Sequence, residues 1–328
     1  MPDSGAPVAR GTTIEQRAVT RVGVIGMGRW GRELIRVFAR AAEVVVCSNR
    51  GDSASIRWLA EAHPGTRHTT DVEAVFANPE IQAVVIATPI ATHPELAVAA
   101  LQSGKHVFVE KPLATSVEGC DSVIDAADRA RRQLFVGHTF LYDAGLEHLH
   151  DRTRTDPINE MELVWHKFGT FEEPLVWNLL THEVAITLWL VGSPSGAHIE
   201  EARPSQTSLD RLRVTLTFPG DRRISIEIDR TDKSREKTVM ATTASGARYR
   251  WSQGVLDRLG ADTAWRTVHV ASTEALAREA QAFLASIVTG KRPLSDGSFG
   301  RLVTCVVAEV ERRCAPGADQ LPSTMRGS

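Results

Sequence analysis

The chain has 328 residues, of which 42% are hydrophobic and 24% charged, as is typical of a globular protein with two domains. Its 38 Lys and Arg residues nearly balance 40 Asp and Glu residues, so bulk charge disfavours nucleic acid and anionic membranes as partners. No apolar run approaches the roughly eighteen residues of a membrane span.

Residues 1–20 contain Pro, Gly, Ser, Thr and charged residues without the apolar core of a signal peptide, which predicts a flexible tail outside the fold. The four cysteines show no Cys-x-x-Cys spacing, so we expect neither a zinc site nor a disulfide framework, and no metal is predicted. This use of cysteine favours a cytoplasmic location.

The first predicted strand, residues 22–25, runs into a glycine-rich turn and then into a helical pattern. The turn has the spacing G-x-G-x-x-G, and its place between a strand and a helix predicts a backbone that approaches a pyrophosphate at a helix N-terminus. A plain glycine-rich turn is the alternative. The predicted dinucleotide contacts of this turn are Gly26, Met27, Gly28, Arg29, Trp30 and Gly31.

Further predicted strands alternate with predicted helices as far as residue 140. Strands that are apolar throughout and alternate with helices indicate a parallel, doubly wound sheet, so residues 21–140 are predicted to form a Rossmann domain. The strands are 43–50, 83–89, 106–110 and 134–138, and the helices include 94–103 and 116–132.

The ends of these strands form the predicted ligand edge, because ligands of such sheets bind outside the carboxyl ends of the strands. Thr88, Pro89 and His93 follow one strand, and Glu110 and Lys111 follow the next. A compact ammonium at this edge can donate hydrogen bonds to a ketone oxygen or a developing alkoxide, and burial can lower its pKa. A solvated turn lysine is the alternative for Lys111.

The end of the second predicted strand bears on the choice of cofactor. NAD-binding sheets usually place an acidic residue there for the ribose hydroxyls, whereas a nearby Arg accommodates a 2′-phosphate. This chain has Ser48, Asn49 and Arg50, which predicts NADP(H), while the neighbouring Asp52 keeps NAD(H) open.

Beyond residue 140 the pattern changes to consecutive strands separated by turn signals, which indicates an antiparallel sheet. The strands are predicted at 161–169, 212–218, 224–230 and 237–243, and helices at 273–291 and 297–314. The charged run 229–237 is predicted to be solvated hairpin surface. The predicted fold class is α/β, with a Rossmann doubly wound parallel sheet followed by an α+β domain, residues 141–328, that has an open, mostly antiparallel sheet.

A helix predicted within 175–192 carries Asn178 and His182 four residues apart, hence on one face. His182 can act as a general base or acid, whereas Asn178 cannot exchange a proton and can only orient its neighbours. Several other residues either line a sugar pocket or belong to the core, and both interpretations stay open. They are His138, Tyr142, Trp165, His166 and Trp177.

The segments "VGVIGMGRWG", "VIATPIATHPELAVAALQSGKHVFVEKPLA" and "FVGHTFLYD" together resemble the Gfo/Idh/MocA family, named for glucose-fructose oxidoreductase, inositol dehydrogenase and a rhizopine catabolism protein. The resemblance implies that Lys111 of the Glu-Lys-Pro motif lies beside the nicotinamide and the reacting hydroxyl. It also implies that Asn178 and His182 stand at the substrate, although the family usually has Asp where this chain has Asn178. The family's C-terminal sheet covers the site and often meets another subunit, so a homodimer or homotetramer is expected.

Together these inferences predict an NADP(H)-dependent oxidoreductase acting on a secondary alcohol or ketone of a sugar, cyclitol or nucleotide-linked sugar. In its predicted catalytic set, Lys111 stabilises the oxyanion, His182 exchanges the proton and Asn178 orients its neighbours. The alternatives are a cofactor-binding regulatory or sensing protein without turnover, and a dehydrogenase or reductase of a non-sugar ketone or imine. The predicted cofactor contacts beyond the glycine turn are Ser48, Asn49, Arg50, Thr88, Pro89, His93, Glu110, Lys111 and Trp177. The predicted substrate contacts are Lys111, His138, Tyr142, His166, Asn178 and His182.

Overall fold

Six parallel strands form a sheet in the first half of the chain. The computed structural model describes residues 19–169, 173–204, 209–220 and 222–315. Residues 1–18 of the predicted tail therefore lie outside the described residues. The strands of this sheet are β1 (Arg21–Ile25), β2 (Glu43–Ser48), β3 (Arg67–Thr69), β4 (Ala83–Ile86), β5 (His106–Glu110) and β6 (Leu134–Gly137). Their order is β3-β2-β1-β4-β5-β6, which places the change of direction between β1 and β4.

Five helices connect these strands: α1 (Arg29–Phe38), α2 (Ser53–Ala62), α3 (Val72–Ala77), α4 (His93–Gln102) and α5 (Val117–Ala130). The apolar strands are buried because helices cover both faces of the sheet, as the sequence predicted for a doubly wound fold. The short strand β3 was not predicted, since its sequence Arg-His-Thr offers no apolar run.

Eight strands form the second sheet, which is the mostly antiparallel one that the sequence predicted. They are β7 (Ile158–His166), β8 (Gly196–Pro204), β9 (Leu209–Thr217), β10 (Arg223–Asp229), β11 (Lys237–Thr243), β12 (Arg248–Ser252), β13 (Val255–Leu259) and β14 (Trp265–Val270). Their order is β14-β13-β12-β11-β7-β10-β9-β8, and within the described part of this sheet only β7 and β10 pair in parallel. The predicted fold class is therefore confirmed.

Four further helices complete the described part of the chain: α6 (Ala144–Thr153), α7 (Thr181–Leu190), α8 (Ala275–Thr289) and α9 (Gly297–Cys314). Short 3₁₀ turns precede α4, at Ile90–Thr92, and α6, at Thr139–Tyr142, and a π turn at Val176–Leu180 precedes α7. Within the described ranges, no helix combines the length and apolar character that a membrane span requires.

The two C-terminal helices pack against the first sheet. Phe283 of α8 enters an aromatic cluster with Phe38 of α1 and with Phe108 and Phe135 of the sheet, at centroid distances of 6.1, 5.7 and 5.6 Å. In α9, the hydroxyl of Thr304 donates to the carbonyl of Ala114 at 3.1 Å. Helices α8 and α9 therefore stabilise the first sheet.

Candidate active site

The glycine turn between β1 and α1 leaves space for a ligand at one glycine and none at the other two. A Cβ added to Gly26, whose φ is +97°, would lie 2.3 Å from the carbonyl oxygen of Ala87, and one added to Gly31 would lie 2.1 Å from the carbonyl oxygen of Gly26. At Gly28 a Cβ would meet nothing within 4 Å. Gly28 precedes α1 without a capping side chain, so backbone N–H groups face that open space. This cradle fits the pyrophosphate of a dinucleotide.

The end of β2 presents an arginine and an acid that is already engaged. Ser48 is buried, and the amide oxygen of Asn49 accepts a hydrogen bond from the backbone N–H of Gly51. Arg50 is exposed. The Asp52 carboxylate caps α2 by accepting from the backbone N–H groups of residues 54 and 55, at 3.4 and 2.8 Å, and hydrogen bonds from Ser55 lower its pKa. At the end of β2, Arg50 is therefore accessible to a substituent on the ribose, whereas the Asp52 carboxylate is occupied by the cap of α2.

A cavity of about 480 Å³ lies beyond the carboxyl ends of β4 and β5, where the first half of the chain meets the second. Its lining brings together many of the predicted site residues, namely Arg29, Trp30, Thr88, His93, Glu110, Lys111, Asn178 and His182. Trp165, whose role the sequence left open, also lines it. The residues that sequence reasoning missed are Ala87, Ile90, Thr139, Phe140, Lys167 and Glu173. The first four lie in segments that carry the family resemblance but were not singled out as contacts, and the last two belong to no motif.

Lys111 occupies the centre of this arrangement. Its ammonium donates to the backbone carbonyl of Asn178 at 2.8 Å, so it points from the first half of the chain toward the second. Burial lowers the pKa of Lys111 to about 8, and the neighbouring Glu110 opposes this shift. The ammonium is therefore charged at neutral pH and can lose its proton in mildly alkaline solution.

Glu110 is buried beneath Lys111 and is held on both carboxylate oxygens. The indole N–H of Trp30 donates to one oxygen, and the backbone N–H of Lys111 donates to the other at 3.3 Å. Burial raises the pKa of Glu110 against the effect of these two partners. The glycine turn and the lysine are thus linked through one carboxyl group, which explains why a Glu-Lys pair follows this strand.

His182 lies against two aromatic rings that also line the cavity. Its ring centroid is 5.2 Å from that of Phe140 and 5.3 Å from that of Trp165. Its Nδ1 is buried and has no hydrogen-bond partner among the described residues. Burial, together with the charges of Lys111 and Lys237, lowers the pKa of His182 well below 6.5. The imidazole is therefore neutral at pH 7 and is able to accept a proton.

Asn178 reaches the cavity through a π turn instead of the regular helix that its spacing predicted. The turn Val176–Leu180 precedes α7, and within it the Asn178 carbonyl accepts the bond from Lys111. Its side-chain amide donates to Glu173 at 3.4 Å. Asn178 and His182 still line the same cavity, but the backbone of Asn178, which no side-chain pattern reveals, makes the contact with the lysine.

His93 ties the two strand ends together. Its buried ring places Nδ1 2.8 Å from the carbonyl oxygen of Pro112 and Nε2 2.9 Å from that of Thr88, and burial lowers its pKa. A neutral imidazole has one N–H, so it can donate to only one of the two carbonyls at a time. His93 lines the cavity, yet its polar atoms are engaged with the backbone.

Several of the predicted contacts do not line the described cavity, among them Tyr142, Trp177, His166, His138 and Pro89. For the first three, hydrogen bonds made elsewhere give the reason. The Tyr142 hydroxyl pairs with Ser295 at 3.0 Å, and the indole of Trp177 donates to Glu311 at 2.9 Å. The His166 ring lies between Ser234 and Glu227, at 3.0 and 3.1 Å. His138 is buried, and neither ring nitrogen has a partner among the described residues. Pro89 is exposed outside the cavity.

The prediction that residues 229–237 are solvated surface is wrong at both ends. Asp229 and Lys237 are only 5% and 8% exposed, because β10 ends at the first and β11 begins at the second. Lys237 is bonded to Glu183 in the interior. A run of charged residues in the sequence does not show that its last residue, Lys237, begins a buried strand.

Comparison with known proteins finds similarity to oxidoreductases. Residues 20–138 match the sequence profile of an oxidoreductase family with an NAD-binding Rossmann fold. Inositol 2-dehydrogenase of Klebsiella pneumoniae is 32% identical over 210 residues, which cover 59% of this chain and 60% of the relative. The matches to such curated relatives extend over 31 to 67% of their lengths.

Solved structures match over nearly the whole fold. The UDP-N-acetylglucosamine 3-dehydrogenase of Acidithiobacillus ferrooxidans is 22% identical, covers 89% of this chain and 96% of its own, and superposes with a TM-score of 0.82. A levoglucosan dehydrogenase, solved with NADH and levoglucosan, is 21% identical with a TM-score of 0.77 over 89% of this chain and 96% of its own. These structures share the fold.

Proposed function

We propose that this chain, whose residues 20–138 match the Gfo/Idh/MocA family of oxidoreductases, is an NADP(H)-dependent dehydrogenase. It transfers a hydride between the cofactor and a secondary alcohol carbon of a sugar, cyclitol or nucleotide-linked sugar. The observation that carries the proposal is the convergence of Lys111, His182 and Asn178 on one cavity beyond the strand ends. A nicotinamide, when bound, accepts or donates the hydride at its C4.

Cofactor binding rests on the glycine cradle and on the end of β2. The backbone N–H groups at the start of α1 would hold the pyrophosphate, and Arg50 would pair with a 2′-phosphate. Asp52 is engaged as a helix cap, which supports the phosphorylated cofactor over NAD(H). The NADH bound to the levoglucosan dehydrogenase belongs to that protein and keeps NAD(H) as the alternative to be tested.

The charge states of the site favour oxidation of an alcohol. Neutral His182 accepts the hydroxyl proton, and the ammonium of Lys111 donates a hydrogen bond to the oxygen as negative charge develops on it. The C–H bond breaks with departure of a hydride, and the carbon–oxygen double bond forms. Reduction would need protonated His182, which its lowered pKa disfavours in the free protein.

The cavity wall suits a ring that carries hydroxyl groups. Phe140 and Trp165 offer aromatic faces and edges to its C–H groups, while Asn178 and Glu173 offer hydrogen-bonding atoms. The relatives named above act on inositol, a nucleotide-linked amino sugar and levoglucosan, all of which are hydroxylated rings. This shared chemistry supports the substrate class but not one compound.

The test is oxidation of a panel of cyclitols, hexoses, anhydrosugars and nucleotide-linked sugars with NADP⁺ and NAD⁺, followed by the absorbance of the reduced nicotinamide. Ligand retained on the purified protein and identified by mass spectrometry selects the panel. Turnover with one substrate, lost in Lys111→Ala and in His182→Asn, is the expected result. Tight NADPH binding without turnover on the panel or on the retained ligand would instead support a sensing protein, for which Asn178 in place of the family's Asp is the motivation.

A further inference from the structure

A buried ion pair lies directly behind His182. Lys237 begins β11, and its ammonium donates to the carboxylate of Glu183, the residue that follows His182 at the start of α7. Lys237 is 8% exposed and Glu183 is not exposed at all. Buried pairs of this kind are costly to desolvate, so stability alone does not explain why one is present.

The same ammonium also faces the aromatic wall of the cavity. Its Nζ is 4.0 Å from the ring centroid of Trp165 and 4.5 Å from that of Phe140. Lys237 and Trp165 are direct partners in the β11–β7 ladder, so their side chains share one face of the sheet. Two ring faces and one carboxylate together favour the charged form of this lysine, although burial lowers its pKa.

His182 contacts the same two rings, at centroid distances of 5.2 and 5.3 Å. Phe140 and Trp165 therefore touch the imidazole and the buried cation alike. The rings themselves are edge to face at 5.7 Å, which fixes their relative orientation. A change at Lys237 would reach His182 both through these rings and through Glu183, its neighbour in the chain.

We propose that Lys237, paired with Glu183, is a positioning residue of the reaction centre that holds Phe140 and Trp165 as a fixed wall around His182. The inference rests on the proposed function, because His182 receives its catalytic role there. Lys237 touches neither substrate nor cofactor in this arrangement, since it does not line the described cavity. It acts on the orientation of the imidazole and on the field around it.

The field at His182 comes from several elements. Lys111 after β5 and Lys237 on β11 lower the pKa of His182, as do His138 after β6 and Lys167 after β7. Glu183 faces Lys237 and offsets part of its charge. Removal of the Lys237 ammonium is therefore expected to raise the pKa of His182, because one of the positive charges near the imidazole is lost.

The experiment compares Lys237→Met, the double variant Lys237→Met/Glu183→Gln and the unmodified protein by NMR titration of the His182 ring, assigned with His182→Asn. The double variant leaves no unpaired buried charge, so it keeps the test valid if the single variant fails to fold. Lys105→Met is the matched control, since it removes another buried ammonium at the opposite end of β5. We expect the pKa of His182 to rise by about one unit in Lys237→Met, to rise by less in the double variant, which also removes the opposing carboxylate, and to stay unchanged in the control.

Kinetics complete the test. Both Lys237 variants should lose about tenfold in kcat, with the acid limb of kcat/KM moved to higher pH and the Kd for NADPH unchanged. An unchanged His182 titration, or full kcat in the double variant, overturns this inference. Full activity in His182→Asn would overturn the proposed function itself, whatever the titration shows, so the two failures are distinct.

Discussion

Replacement of Lys111 by Ala is expected to lower kcat by about a hundredfold or more while leaving NADPH binding largely intact, because in the proposed function the ammonium donates to charge that develops on the reacting oxygen. The structure also fixes the pH at which the unmodified enzyme should lose this contact. The pKa of Lys111 is about 8, so the protonated, active form predominates below that pH and is lost as the pH rises through it.

With a pKa of about 8, roughly nine tenths of the Lys111 side chains are protonated at pH 7 and roughly one tenth at pH 9. The kcat/KM of the unmodified protein should therefore fall about tenfold between these pH values, since this parameter reports groups of the free enzyme. The pKa of His182 lies well below 6.5, so His182 is neutral at pH 7. The acid limb of kcat/KM that His182 causes is therefore expected at acidic pH, apart from the alkaline limb of Lys111.

The assay is the initial rate of nicotinamide reduction across this pH range, with the cofactor affinity measured separately by fluorescence titration. The residual activity of Lys111→Ala should show no alkaline limb near pH 8, and Lys233→Ala, at an exposed lysine that does not line the described cavity, should behave like the unmodified protein. An alkaline limb that persists unchanged in Lys111→Ala would refute the assignment of Lys111 as the titrating contact.

Three further outcomes are expected. Arg50→Ala should erase most of a preference for NADPH over NADH in binding titrations, and equal affinities in the unmodified protein would remove the argument from the end of β2. Asn178→Ala should lower kcat less than Lys111→Ala, because the backbone carbonyl of residue 178 still accepts the hydrogen bond from the lysine. Asn178→Asp should raise the pKa of His182, because a nearby negative charge favours the protonated imidazole, and should move the acid limb of kcat/KM to higher pH. An acid limb at unchanged pH would contradict this. Light scattering at micromolar concentration should give the mass of a homodimer or homotetramer. An open groove of about 740 Å³, lined by polar side chains of the second sheet that include Glu160 and Arg223, leaves this face of the sheet accessible to another subunit. A monomer mass would argue against assembly through this sheet.

The sequence predicted the parts of the site that follow from strand order in a parallel sheet and from residue spacing in a helix. Strand ends in a parallel sheet share one edge, so the glycine turn and Lys111 had to meet, and the spacing of Asn178 and His182 placed both toward one side. Arg29 and Trp30 of that turn line one cavity together with Lys111, Asn178 and His182. The roles given to them remain predictions until activity is measured.

The remaining parts depend on tertiary packing that no local pattern encodes. Trp165 could be core or cavity wall until β11 was known to pair with β7. Lys237 belongs to a charged run and looked solvated, but the register of that pairing buries it. Tyr142 and Trp177 carry polar groups suited to a pocket, and both find partners elsewhere in the fold.

The packing of α8 and α9 on the first sheet has a consequence for protein engineering. A chimaera that replaces the substrate-facing half by exchange of everything after residue 140 would also remove Phe283 and Thr304, which complete the core and the contacts of the cofactor half. The exchangeable module is instead the internal segment from α6 to β14. The first sheet with its helices, which precedes this segment, and α8 and α9, which follow it, should be kept together. Libraries built on this internal boundary should keep cofactor binding while substrate preference is varied.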